Sequence, residues 1–166
     1  MTEETKNPDL EMYLQDHYAG AVGAIGLIEH LRKVHTNDDE LEKFFSALQA
    51  EIEADHQQLH NLMTTLRFEP SSVRNAGAWM AEKFGRMKLG FAEGEENLLR
   101  LLQALETIYA GITGKRLLWR ALHAARDSSP VLRATDFSLL EQRAMDQAER
   151  VESKRLSAAR RVLAPA

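Results

Sequence analysis

The chain has 166 residues, 44% of them hydrophobic, no cysteine, and a formal net charge of −4. Length and apolar content suit a single domain over 1–166 with a sizeable core. Net acidity argues against nucleic acid, whose phosphates need a basic surface, and the lack of thiols excludes disulfides, thiolate metal sites and cysteine nucleophiles.

In chain order, residues 1–8 are polar and acidic, the reverse of a basic–apolar secretion signal. They read as a flexible end, as do residues 163–166. A first helix is predicted over about 9–34, its apolar seam running Leu10, Leu14, His17, Ala21, Ala24, Ile28, Leu31. The longest apolar run, residues 19–28, is about half of the ~20 residues a membrane span needs, so the chain is expected to be cytoplasmic, without membrane contact. Thr36-Asn-Asp-Asp-Glu reads as a helix start, a hydroxyl or amide cap followed by acids at the positive end of the dipole. The second helix continues to about 67 on the seam Leu41, Phe45, Leu48, Ile52, Asp55, Leu59, Leu62, Leu66.

Residues 68–72 break that pattern. A shorter amphipathic helix is predicted over 73–89, with Ala76, Trp79, Met80, Phe84 and Met87 on one stripe. A third long helix follows over about 95–124, with Leu98, Leu101, Leu105, Ile108, Ile112, Lys115, Trp119 and Leu122 on its seam. After a loop at 127–130 a fourth runs over about 135–162 on Phe137, Leu140, Ala144, Gln147 and Val151. The four prolines, at 8, 70, 130 and 165, all avoid the periodic segments, as proline must. No alternating β-branched stretch predicts a strand. The expected fold class is all-α: four long helices, with a short one in the crossover between the second and third.

Short turns make the first pair antiparallel, and likewise the last pair. The connecting helix is long enough to climb about 25 Å at 1.5 Å per residue, so the third helix can start at the same end as the second. The order is then up, down, down, up. Counted along the axes, that order sets His17, Asp55, Lys115 and Gln147 at one level, each a polar residue on an otherwise apolar seam. A buried charge persists only when paired or bound to metal. Together with Asp16, Arg143 and Arg150, these side chains can close a buried polar layer, leaving no room for a cation that Lys115 would oppose.

Both the helix order and Glu53-Ala-Asp-His56, a Glu-x-x-His on the second helix, resemble the ferritin-like superfamily. Residues 13–20, 51–55, 78–83 and 105–119 are more closely similar to a group of uncharacterised bacterial ferritin-like four-helix proteins. The superfamily resemblance implies an alternative role as an iron- or manganese-binding protein with redox or storage activity. Its ligands would be Glu53, His56 and Glu106, with Asp16, Glu51 or Asp55 adding oxygens suited to those metals. The fourth helix offers Glu149-Arg-Val-Glu152 and no histidine, so the second half of a dinuclear site is missing. The closer resemblance groups Asp16, His17, Asp55, Glu106 and Lys115.

Other signals carry less. Gly111-Ile-Thr-Gly-Lys115 has the wrong spacing, no hydroxyl residue and no preceding strand for a phosphate loop. Gly20, Gly23 and Gly26 recur every three residues, the first two near the height of Gly111 and Gly114, and suggest close approach of the first and third helices, or else room for a ligand. His56 and His60, one turn apart, read as surface or as a clamp with Glu53. Trp79 and Trp119 read as packing residues, and the basic residues near the C-terminus match the helix dipole. The resulting expectation is a non-enzymatic cytosolic protein without cofactor, a homodimer joined through Trp79, Phe84 and Met87.

Overall fold

The computed structural model describes residues 7–70 and 97–164, and these are helical with no strand. Four helices of 27 residues each dominate: α1 (Pro8–Val34), α2 (Asp39–Thr65), α3 (Leu98–Ala124) and α5 (Phe137–Leu163). Between α3 and α5 lie a 3-10 turn (Arg126–Ser128) and a one-turn helix, α4 (Pro130–Arg133). The predicted short helix at 73–89, and with it Trp79, Phe84 and Met87, lies outside the described residues.

Each long helix begins on a side-chain oxygen that satisfies otherwise unpaired backbone N–H groups. Asn7 accepts from Asp9 and Leu10, Asp38 from Glu40 and Leu41, Asn97 from Arg100, and Asp136 from Leu139. The second cap is therefore the carboxylate of Asp38, the first of the expected acids, and not the hydroxyl or amide before it. Pro8 opens α1 and Leu163 closes α5, so of the segments read as flexible ends these two residues are helical. At its C-terminus α2 closes with Arg67 at φ 60°. The Phe68 N–H reaches the Met63 carbonyl at 2.9 Å and the Arg67 N–H that of Thr64 at 3.0 Å, a Schellman cap.

The predicted seams face inward. Leu14, Ile28, Leu31, Phe45, Leu48, Ile52, Leu105, Ile108, Trp119, Phe137, Ala144 and Val151 are all buried in one core. α1 packs on α2, α3 on α5, and α1 on α3. α1 and α2 run antiparallel, since Arg32 bonds Glu42 near the turn while Tyr18 touches His60 further from it. α3 and α5 do the same: Trp119 stacks on Phe137 at 6.2 Å, Arg116 pairs with Glu141 and Arg155 with Glu106. α4, read from sequence as loop, is capped by Ser129 on the Val131 N–H, starts at Pro130 and buries Leu132. A serine followed by proline at the first helical position was its only sequence signal.

Candidate functional site

Asp55 is the centre of the polar layer. It projects from the α2 seam and is 1% exposed. Lys115 of α3 donates to its Oδ2 at 2.6 Å, and Gln147 of α5 donates to the same oxygen at 3.1 Å. Lys115 also donates to Gln147 Oε1, so the three side chains form a closed triangle. Arg143, one turn before Gln147, holds Nη2 at 3.0 Å from Asp55 Oδ1, an ion pair without hydrogen-bond alignment. Burial pulls the Lys115 ammonium below its ordinary range, and the Asp55 charge and hydrogen bond oppose that. Of the predicted layer, Asp55, Lys115, Gln147 and Arg143 come together.

Three predicted members do not join them. Arg150 is exposed and pairs with Glu51 at the rim, because its long stem carries the guanidinium out to water. His17 is half-buried, with its ring edge-on to Tyr13 at 4.8 Å, and it is not among the partners of Asp55. Burial lowers its pKa, and the neighbouring Asp16 charge raises it. Asp16 has a buried Oδ1 that makes no hydrogen bond among the described residues.

The residues of the metal alternative are dispersed. Glu51 is taken by Arg150, and exposed Glu53 accepts from Gln49 at 2.7 Å. Glu106, also exposed, faces Arg155 at 3.5 Å, which separates it from the grouping with Asp16, His17, Asp55 and Lys115. His56 lies under the Tyr18 ring, 4.2 Å between centroids, while His60 faces the Tyr18 hydroxyl at 3.3 Å. Tyr18 thus occupies the histidine pair read as a possible clamp. The physical reason is register: Glu53 and His56 flank the Ile52–Asp55 seam. Among the described residues no group of three or more His, Asp or Glu side chains is clustered closely enough to hold a metal ion.

Beside the ionic triangle lies a cavity of about 440 Å³, walled by α1, α2 and α3. Gly20, Gly111 and Gly114 are on its wall. A Cβ built on any of the three would meet nothing within 4 Å, so close helix approach, the favoured sequence expectation, does not explain them. They border open space instead, although an interior glycine costs a helix about 1 kcal/mol relative to alanine. Sequence reasoning also missed Gln15, 3% exposed and donating to the Glu69 carbonyl, and His35, 2% exposed. Gln15 lies off the seam between Leu14 and Asp16, where periodicity gives no signal.

No helix among the described residues is long and apolar enough to cross a membrane. Comparison of the chain with protein families, with curated proteins and with solved structures finds no match.

Proposed function

We propose that this chain is a non-enzymatic, cytosolic helical-bundle protein of ferritin-like order, in which a closed ionic layer stands where a di-metal centre would otherwise sit. The observation that carries the reading is the saturation of Asp55. Its Oδ2 accepts from Lys115 and Gln147 and its Oδ1 faces Arg143, so an incoming cation would have to displace two fixed positive charges. The order up, down, down, up is supported by the direction of the contacts. Glu40, Glu51 and Asp55 of α2 meet Lys154, Arg150 and Gln147 of α5, descending as the others ascend. With α3 also opposed to α5, α2 and α3 point the same way. Homodimerisation is part of the proposal, and sedimentation velocity tests it: a monomer at high concentration removes it.

Elemental analysis of natively purified protein, before and after anaerobic Fe(II) loading, tests the central claim beside Asp55→Ala and Glu106→Ala variants. The expected result is no stoichiometric iron or manganese in any of the three. Bound metal that both substitutions abolish would make this a metalloprotein and sink the reading.

A further inference from the structure

We propose that the cavity between α1, α2 and α3 binds a small uncharged amphiphile, an apolar body ending in a hydroxyl. This goes beyond the ionic layer, which forms part of one wall but does not need a ligand to close.

The volume, about 440 Å³, falls within the ~300–1,000 Å³ of typical small-molecule sites. Its ends differ. The level of each residue follows from the pairings of Tyr18 with His56 and His60 and of Asp55 with Lys115. Ala24, Ile52 and Ile108 fall toward one end of the cavity, and Asp16, His17 and Trp119 toward the other. An apolar body suits the first end and a polar head the second.

The head is defined by what is left unpaired. Trp119, 1% exposed, has a buried Nε1–H that makes no hydrogen bond among the described residues. The same holds for Asp16 Oδ1 and His56 Nε2. Buried polar groups are almost always partnered in proteins, so three on the wall of one cavity point to a ligand or to water. The indole nitrogen can only donate and the carboxylate oxygen can only accept. His56 Nε2 lies on the same wall and donates or accepts according to the tautomer of its ring. A hydroxyl both gives a proton and takes one, which matches a donor and an acceptor at the same end.

Charge decides against an ion. On the wall Asp55 is paired with Lys115 and, from behind the wall, with Arg143. Asp16 is the second carboxylate, and burial holds His17 and His56 toward their neutral forms, so the count includes Arg143. The surroundings therefore sum to zero. A charged head would bring in an uncompensated buried charge, which is strongly unfavourable. The three glycines complete the case, since alanine would fit sterically at each and their bare backbone leaves the volume open.

Isothermal titration of the full chain with octan-1-ol, octylammonium and octanoate tests this, because the three probes share one tail. Octan-1-ol is expected to bind with 1:1 stoichiometry and at least about tenfold more tightly than either ion. Gly114→Leu should abolish binding by filling the space, with helicity by circular dichroism unchanged. Trp119→Phe keeps the ring but removes the donor, and it should weaken octan-1-ol about tenfold; it serves if the leucine variant does not fold. The proposal fails if octan-1-ol shows no saturable binding, if an ion binds as tightly, or if the folded variants bind like the parent. No saturable binding would mean that the cavity holds water only, and the ionic-layer reading would be untouched by that result.

Discussion

Asp55 is one buried carboxylate on an otherwise apolar helix seam, held by Lys115, Gln147 and Arg143, and from sequence it stood out as the exception on that seam. Its partners Lys115 and Gln147 were readable for the same reason, since both interrupt apolar seams at the same height. Arg150 misled because a residue near the seam can still send a long side chain to water, and spacing does not specify where its end goes. Removing one partner from a buried ion pair leaves an uncompensated charge or orphaned donors. Asp55→Ala is therefore expected to lose about 3–5 kcal/mol in urea unfolding. Replacing the triangle as a unit, Asp55→Leu with Lys115→Met and Gln147→Leu, should recover most of that loss or exceed the parent. If the triple variant is no more stable than Asp55→Ala, the layer does more than satisfy itself. Acid acts through the histidines. Burial lowers the pKa of both His17 and His56, so each binds its proton less readily folded than unfolded. The unfolded state then holds more protons, and their contribution to stability is full above the ordinary histidine pKa of about 6.5, falling as pH drops through the folded values. Urea midpoints measured from pH 7.5 down to 5 should fall, and His56→Gln should make that decline shallower.

Among the helices, α2 shows how well caps and seams can be read and where they stop. Its seam was visible as a heptad, but its C-terminal closure was not, because the left-handed position is filled by Arg67, with no glycine to mark it. A non-glycine residue there costs roughly 1–2 kcal/mol. Arg67→Gly should raise the thermal midpoint by relieving that cost, and calorimetry of the single variant checks it; a lower midpoint would mean that the Arg67 side chain has a stabilising contact. The α2–α5 seam is of another kind. Glu40 with Lys154 and Glu51 with Arg150 line its rim, and exposed pairs of this sort contribute about 0–1 kcal/mol each. The buried Asp55–Gln147 contact follows about one turn beyond the Glu51–Arg150 pair along the same seam. Helix α4 escaped notice because one turn is too short to show a period.

At the level of the molecule, the four long helices, their approximate boundaries and their inward faces followed from periodicity and proline placement, which act locally. The cavity could not be read that way. Glycines at regular spacing are compatible both with tight packing and with empty space, and only the positions of neighbouring atoms separate the two. The Glu-x-x-His motif shows the same limit from the other side, since its residues were present and the helix register turned them off the seam. All four long helices have 27 residues, about 40 Å at 1.5 Å per residue. With equal lengths and the polar residues of the layer at a common height, length and chemistry are separable in this fold. Two turns removed from every helix at the end remote from the layer would give a shorter bundle with its ionic layer intact. The same cut in a single helix would leave three neighbours overhanging it, their apolar ends bare to water. Insertions and deletions in such a chain are therefore tolerable only in concert, which makes the length of each helix a constraint on the other three.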